Sequence, residues 1–203
     1  MAFGFVLVGG QSARMGRDKT RLPYRGLPMA IHQAQKLAFV CGRVALVGKA
    51  PGAFASSPYP FVLDGSEPHA SVFGVLAALA YSPDDVNLIL ASDLPRISEA
   101  FLAALLDVAQ HSPAAAAVIP VSADGPQPLC AVYRRSALVS LTNRVANGDL
   151  SLVSALRGTG ALFLPESETA ALPDGEADRF LNVNTPEDYA AVEDETGPYA
   201  SRR

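Results

Sequence analysis

The sequence predicts an α/β fold with a Rossmann-like, doubly wound, mostly parallel sheet that has helices on both faces. Two observations predict it: short apolar runs bounded by Gly, Pro or Asp recur along the chain, and segments with helical spacing separate them. Such alternation is typical of parallel strands joined by crossover helices. With 203 residues, 49% of them hydrophobic, the chain can bury a sizeable core. We expect a single domain over residues 1–196 and a frayed tail over 197–203.

The first part of the chain alternates regularly between the two kinds of segment. Ser98 is a suitable N-cap for the third helix, which carries a broad apolar stripe. In folds of this kind, ligands bind at the carboxyl ends of the strands. Strands are expected at residues 3–8, 43–47, 61–63, 86–91 and 115–119, and helices at residues 29–40, 73–81 and 98–110.

After Pro120 the alternation becomes less regular. The acidic stretch 165–178 is expected to be a mobile surface loop. A last helix is expected to begin near Thr185, which is a good N-cap because a proline and two acidic residues follow it. Strands are expected at residues 129–133, 161–164 and 180–183, and helices at residues 134–145 and 151–156.

Composition argues against several classes of protein. A net charge of −4 disfavours a general nucleic-acid or membrane-surface protein, and no apolar run approaches the length of a membrane span. Cys41 and Cys130 lack the spacing of metal ligands, and His32, His69 and His111 form no cluster in the sequence. We therefore expect no zinc site, and a reduced protein of the cytoplasm without a targeting segment.

The most informative segment directly follows the first predicted strand. From Leu7 to Lys19 it reads Leu-Val-Gly-Gly-Gln-Ser-Ala-Arg-Met-Gly-Arg-Asp-Lys. Glycines let the backbone approach a ligand closely, and Arg14, Arg17 and Lys19 supply positive charge, so the pattern favours a polyphosphate ligand. The segment contains neither Gly-Lys-Ser/Thr nor Gly-x-Gly-x-x-Gly, which excludes a Walker loop and the dinucleotide fingerprint.

This segment resembles the signature Leu-Ala-Gly-Gly-x-Ser-x-Arg-Met-Gly-x-Asp-Lys of the nucleotidyltransferases that make molybdenum cofactor dinucleotides, specifically the guanylyltransferases. The resemblance implies a fold of the nucleotide-diphospho-sugar transferase type. It also implies that Arg14 and Lys19 hold phosphate oxygens and act in catalysis. The residues that it implies for nucleotide binding in this loop are Leu7, Val8, Gly9, Gly10 and Lys19. An ordinary strand-to-helix turn is the alternative for the two adjacent glycines.

Asp93 follows the strongly apolar fourth strand, in the sequence Ala-Ser-Asp-Leu-Pro. A carboxylate at the ligand edge of the sheet can hold Mg²⁺, which prefers oxygen ligands and commonly takes one or two carboxylates together with substrate phosphates. The resemblance implies that Asp93 binds both metal and nucleotide and acts in catalysis. A turn or capping aspartate is the alternative, since the following Leu-Pro ends the strand.

Asp64 follows the third predicted strand, and the resemblance implies that it contacts the nucleotide. The alternative is a simple turn, because Asp-Gly is a common turn pair. Downstream, the family usually reads Gly-Pro-Leu-x-Gly, whereas residues 70–74 read Ala-Ser-Val-Phe-Gly, so only Gly74 matches. Contacts to base or pterin made through that segment are therefore open.

Asn182 and Asn184 belong to a stretch close to the family's carboxyl-terminal signature, Asn-x-Asn-Thr-Pro-Glu-Asp/Glu. Side chains at i and i+2 of an extended segment point to the same side, so both amides can address one ligand. We expect both residues to support the active site. A plain helix start accounts for residues 185–188 but leaves Asn182 unexplained.

Residues 127–134 resemble the family's Pro-x-x-Ala-x-Tyr-x-Arg region, which implies a position on the acceptor side. Arg134 and Arg135 are candidates for binding the phosphate of a pterin. Surface arginines at the start of a helix are an equally good interpretation of both residues.

The resemblance implies that the terminal phosphate of molybdopterin, with or without molybdenum, attacks the α-phosphate of GTP and releases pyrophosphate. It implies Mg²⁺ as cofactor, GTP and molybdopterin as substrates, and cofactor-carrier or acceptor molybdoenzymes as protein partners, with neither nucleic acid nor membrane. No general base is assigned, because the acceptor phosphate is already ionised. The alternatives are a cytidylyltransferase for the same cofactor, another small-molecule nucleotidyltransferase, and a non-catalytic nucleotide-binding regulator.

Overall fold

The structure is a computed structural model that describes residues 2–9, 22–65, 70–174 and 178–193. Its strands are β1 (Ala2–Leu7), β2 (Pro23–Tyr24), β3 (Leu27–Pro28), β4 (Arg43–Gly48), β5 (Phe61–Leu63), β6 (Val86–Ala91), β7 (Ala117–Ser122), β8 (Gly125–Pro126), β9 (Cys130–Arg134) and β10 (Leu162–Leu164). Its helices are α1 (Met29–Cys41), α2 (Ser71–Tyr81), α3 (Glu99–His111), α4 (Ala137–Ala146), α5 (Leu152–Arg157), α6 (Glu166–Ala171) and α7 (Pro186–Glu193).

The main sheet has the strand order β10-β7-β9-β6-β1-β4-β5, with β8 paired to β7. Strand β1 is parallel to β4 and β6, β4 is parallel to β5, and β7 is parallel to β10. Strand β9 is antiparallel to both of its neighbours. Its connection from β7 is a short turn through β8, too short for the crossover that a parallel pair requires. The mostly parallel sheet predicted from the sequence is confirmed.

Helices cover both faces of this sheet, because successive residues of each strand point to opposite sides. From β1, Val6 packs in one apolar cluster with residues of α1 and α3. Phe5 and Leu7 pack in a second cluster with residues of α2, α4 and α5. The doubly wound arrangement is therefore confirmed. It leaves the carboxyl ends of the parallel strands at one edge, between the two helical layers.

Two predicted segments differ from the structure. The stretch 165–178, expected to be a loop, contains α6, which Thr169 fixes by accepting a hydrogen bond from the Val121 amide and donating one to the Leu164 carbonyl. The strand predicted at residues 180–183 is absent from the described sheet. Phe180 packs against Phe101 of α3 and Val183 packs with Met29 of α1 instead, and that burial gives the same apolar pattern as a strand.

Cys41 and Cys130 are both free and buried, and burial raises the pKa of each thiol to about 12. They behave as small apolar core residues. Of the helices in the described ranges, none combines the length and the apolar character that crossing a membrane requires.

Gly48 ends β4 in tight contact with the residues that leave β1. The Val8 amide donates to the Val47 carbonyl at 2.8 Å, which continues the β1–β4 pairing by one residue. A Cβ atom placed on Gly48 would lie 2.1 Å from the Val8 carbonyl oxygen. Only glycine can therefore occupy position 48 while the backbone of Val8 keeps this path.

We expect Gly48→Ala to lower the free energy of unfolding by about 2 kcal/mol, because the backbone of Val8 must move to admit a methyl group. Gly74→Ala is the matched control, since its new Cβ would meet the flexible end of the Leu7 side chain at 3.3 Å. There we expect a change below about 1 kcal/mol, as the helix preference of alanine offsets the contact. Urea unfolding of both variants measures the difference. Equal stabilities would contradict the steric requirement for glycine at position 48.

Candidate functional site

The carboxyl ends of β1, β4, β5 and β6 meet at one edge of the sheet, where backbone hydrogen bonds join the residues that follow each strand. The Ser92 amide donates to the Leu7 carbonyl at 3.2 Å, next to the paired ends of β6 and β1. The Asp64 amide donates to the Gly48 carbonyl at 3.0 Å, next to the paired ends of β5 and β4. The sequence-predicted residues that follow these strands therefore share one edge.

The segment from Leu7 to Lys19, the predicted glycine loop, starts at this edge. Leu7 and Val8 are buried, whereas Gly9 is exposed and has a φ of +141°, a value that favours glycine. Gly10, Arg14 and Lys19 lie outside the described residues. The described part of this loop leaves the sheet directly beside the end of β6.

Asp93 is the second residue after β6 and is half-buried at the same edge. Its carbonyl oxygen accepts a hydrogen bond from the Val183 amide at 2.9 Å. This bond joins the predicted metal-binding position to the carboxyl-terminal segment, although 90 positions of sequence separate Asp93 and Val183.

Val183 is fully buried, while Asn182 and Asn184 on either side of it are exposed. The two asparagines therefore lie on the side of the segment away from the core, as their spacing predicts. The bond from Val183 to Asp93 places both beside the end of β6.

Helix α7 begins directly after these asparagines with a reciprocal cap. The Asp188 amide donates to Thr185 Oγ1 at 3.1 Å, and Asp188 Oδ2 accepts from the amides of Asn184 and Thr185 at 2.9 and 2.8 Å. This geometry confirms the predicted helix start. It also fixes the backbone of Asn184, so the helix start and a role for the asparagines are compatible.

The same segment contacts the hairpin of β2 and β3. Along the chain, this hairpin follows residues 10–21, the basic part of the predicted glycine loop, which is called the basic loop below. The Tyr189 hydroxyl donates to the Pro23 carbonyl at 2.6 Å. Tyr24, Met29 and Val183 share a buried apolar cluster with residues of α7. The carboxyl-terminal segment thus touches both the exit of the basic loop and the backbone of Asp93.

Asp64 lies elsewhere along the edge, paired with a residue that the sequence reasoning did not single out. Lys49 Nζ lies 3.2 Å from Asp64 Oδ1, and the Asp64 side chain is only 13% exposed. Lys49 directly follows β4, and this position after a predicted strand is the feature of the sequence that could have indicated it. Asp64 and Asp93 follow strands three positions apart, about 14 Å at the usual strand spacing. The backbones of the two aspartates are therefore well separated along the edge.

The family model described as the MobA-like NTP transferase domain matches residues 4–161. The chain belongs to this family. A probable molybdenum cofactor guanylyltransferase from Chloroflexus aggregans is 35% identical over 202 residues, covering 95% of this chain and 94% of that protein. These similarities confirm the resemblance found in the glycine loop.

Two solved structures extend this likeness to the fold. Molybdopterin-guanine dinucleotide biosynthesis protein A from Archaeoglobus fulgidus has a TM-score of 0.79 and 26% identity, covering 96% of this chain and 97% of that one. A Mycobacterium tuberculosis protein in complex with manganese has a TM-score of 0.62 and 22% identity, covering 94% and 96%. The second likeness concerns the fold alone.

In this MobA-like chain the predicted acceptor region divides between two edges of the sheet. The Leu129 carbonyl accepts from the Ala91 amide at 2.7 Å, so residues 127–129 lie beside the end of β6. Because β9 is antiparallel, Arg134 instead pairs with Val86 at the start of β6, about 17 Å from Ala91.

Arg134 and Arg135 have structural partners at that far edge. Arg134 bonds the Asp85 carboxylate at 2.7 Å and the Ala109 carbonyl at 2.8 Å, and Arg135 bonds the Ser82 carbonyl at 2.6 Å. Arg134 ends β9 with a side chain only 16% exposed, whereas Arg135 is exposed just before α4, so only Arg135 fits the alternative of a surface arginine at a helix start. Their partners and their place at the far edge argue against the suggested contact with a pterin phosphate. The antiparallel direction of β9 is the physical reason.

The residues available for a metal at the site edge are oxygen donors. His32 is half-buried on α1, and burial, followed by the charge of Lys36, lowers its pKa to about 4. His111 is exposed at the end of α3, and His69 lies outside the described residues. Across the described part of the chain, no three His, Cys, Asp or Glu side chains are grouped as a metal cluster would require.

Helix α1 supports the loop that follows Asp93. Lys36 Nζ donates to the Pro95 and Ile97 carbonyls, both at 2.7 Å, and Gln33 Nε2 donates to the Leu94 carbonyl. Burial, followed by the charge of Arg25, lowers the pKa of Lys36 to about 8. A neutral amine still has two N–H donors, which match its two carbonyl acceptors.

The folded protein therefore binds fewer protons than the unfolded chain between about pH 8 and the ordinary lysine pKa. We expect the free energy of unfolding of the wild type, relative to Lys36→Met, to increase by about 1 kcal/mol per pH unit above pH 8. Urea unfolding of both proteins at pH 7.0, 8.5 and 9.5 measures this difference. A difference that is constant or decreases with pH would show that Lys36 is not desolvated as described.

Proposed function

We propose that this chain transfers GMP from GTP to the phosphate of molybdopterin, releasing pyrophosphate and forming the guanine dinucleotide form of the cofactor. The observation that carries the proposal is the hydrogen bond from Val183 to Asp93, which brings Asn182 and Asn184 beside Asp93 where the glycine loop leaves the sheet. The names of the Chloroflexus and Archaeoglobus relatives supply the nucleotide and the pterin.

In this proposal the start of the loop binds the nucleoside and its basic residues bind the phosphates. The backbone of Leu7, Val8, Gly9 and Gly10 lies along the base and ribose. Arg14 and Lys19 hold phosphate oxygens and offset the charge that develops during transfer. Asp64, oriented by Lys49, contacts the nucleotide further along the edge.

The donors at the edge fit a hard divalent cation, and we assign Mg²⁺ to Asp93. Mg²⁺ prefers carboxylate, amide and phosphate oxygens and takes much of its coordination from substrate and water, so one protein carboxylate suffices. When bound there, the ion would supply positive charge that offsets the charge of the nucleotide phosphates and stabilises the transition state. The side-chain amides of Asn182 and Asn184, which are exposed on the same side of their segment, would orient the phosphates of the nucleotide.

The reaction needs positioning more than proton transfer. An oxygen of the molybdopterin phosphate forms a bond to the α-phosphorus of GTP while the bond to the β-phosphate bridging oxygen breaks, so pyrophosphate leaves with the electron pair. Because the attacking phosphate is already ionised near neutral pH, no side chain has to remove a proton. Residues 127–129, the part of the predicted acceptor region that lies beside the end of β6, are candidates for the acceptor side.

We expect Asp93→Asn and Lys19→Ala to reduce pyrophosphate release from GTP by at least about 100-fold, because each removes a charge that acts on the transferred phosphate. The assay contains purified molybdopterin and Mg²⁺. Asp107→Asn, on the exposed face of α3, is the matched control and should retain wild-type turnover. Wild-type turnover in Asp93→Asn or Lys19→Ala would contradict the assigned role.

The same assay separates the alternatives. Release from GTP supports the proposal, whereas release from CTP alone would identify a cytidylyltransferase for the same cofactor. Release from neither nucleotide would favour a non-catalytic regulator. A thermal shift with each nucleotide and Mg²⁺ adds a binding measurement that does not depend on turnover.

A further inference from the structure

The loop over residues 94–97 has buried carbonyl groups that no neighbouring strand binds. Leu94, Pro95 and Ile97 are each buried, and Pro95 has no amide hydrogen to offer. Buried carbonyls need partners, and here these come from the side chains of Gln33 and Lys36 on α1. One helix face thus binds three of the four carbonyls that follow Asp93.

Lys36 carries a desolvation cost that a neutral hydrogen-bond donor in the same place would avoid. Its side chain is buried, the whole residue being 9% exposed, and its ammonium donates to neutral carbonyls. Burying a charge is unfavourable, so desolvation of the ammonium offsets part of the stabilisation that Lys36 gives by satisfying the two carbonyls. Lys36 also gives a defined position to the backbone that it holds.

The backbone of Asp93 is therefore fixed from both directions. On its amino-terminal side the Ser92 amide donates to the Leu7 carbonyl. The carbonyl of Asp93 itself accepts a hydrogen bond from the Val183 amide. On its carboxyl-terminal side the bonds from Gln33 and Lys36 hold the next residues.

Helix α1 also begins beside the exit of the basic loop. The Met29 amide donates to the Leu22 carbonyl at 2.9 Å, so the first turn of the helix is tied to the residue that follows the loop. Seven residues later, Lys36 bonds the loop that follows Asp93. One rigid helix thus sets the distance between the exit of the basic loop and Asp93.

We infer that Gln33 and Lys36 are positioning residues that fix Asp93 relative to the basic loop and so make transfer depend on α1. The inference rests on the proposed function, in which Asp93 and Lys19 act on the same phosphates. A displacement of about 1 Å can reduce turnover by about 100-fold, so precise support of Asp93 has catalytic value.

Lys36→Met removes the N–H donors of Lys36 and keeps a side chain of similar length, whereas Lys36→Arg keeps donors. Gln33→Met tests the contact of Gln33 with the Leu94 carbonyl. Gln35→Met, on the exposed side of α1, is the control. We expect Lys36→Met to lower kcat and raise the Mg²⁺ concentration for half-maximal rate, each by about tenfold, with a smaller change in the KM for GTP. Gln33→Met should change both in the same direction, Lys36→Arg should recover part of the loss, and Gln35→Met should match the wild type.

Two measurements without turnover accompany the kinetics. Amide hydrogen exchange of the metal-free protein should become faster over residues 92–98 in Lys36→Met while β4 stays protected. Titration of Mn²⁺ with GTP, followed by electron paramagnetic resonance, should show weaker binding of the ion. Both can be made even if the wild type transfers no nucleotide, so failure of the proposed function and failure of this inference are distinguishable.

Unchanged kcat, Mg²⁺ dependence and exchange in a folded Lys36→Met would overturn the inference. A lower melting temperature together with wild-type kinetics at low temperature would also overturn it, because the contacts would then be only structural. If Lys36→Met does not fold, Gln33→Met decides by the same measurements, and wild-type values in that variant would overturn the inference.

Discussion

The backbone that leaves β6 depends on partners from several distant parts of the chain. Residues 92–97 follow the last strand pairing, yet most are buried, so their amides and carbonyls must be satisfied by other parts of the chain. The partners are the Leu7 carbonyl, the Val183 amide, and the side chains of Gln33 and Lys36. This single requirement draws β1, α1 and the carboxyl-terminal segment to one place, and that place is the position of Asp93.

Strand direction decides which polar residues can join this site. Parallel strands deliver the residues after β1, β4, β5 and β6 to one edge, whereas the antiparallel β9 carries its last residues to the opposite one. Leu129, before β9, lies next to Ala91, while Arg134 at the end of β9 lies next to Val86. A local motif spanning both residues is therefore divided between two surfaces.

The sequence predicted seven of the eight strands of the main sheet, their alternation with helices, and the position of Asp93 after β6, because these depend on local apolar patterns and on parallel connections. It did not predict that Phe180 and Val183 pack against helices outside the sheet, since burial against helices and burial in a sheet leave the same apolar pattern. Lys36 was missed for a related reason: a lysine on an amphipathic helix normally indicates the solvent face, and its carbonyl partners are about sixty positions away. Lys49 was missed because its partner Asp64 follows a different strand and is distant in sequence.

The carboxyl-terminal segment packs against the candidate site although it lies beyond the residues that match the family model. Asp178 pairs with Arg96 in the loop after Asp93, and the Phe180 ring meets the Phe101 ring edge to face at 5.6 Å. With the bond from Val183 to Asp93 and that from Tyr189 to Pro23, the segment is attached at four separate points. Contacts of different kinds spread over this length define one backbone path. The position of Asn182 and Asn184 therefore follows from tertiary packing, and their exposure on the side away from the core follows from the burial of Val183 between them.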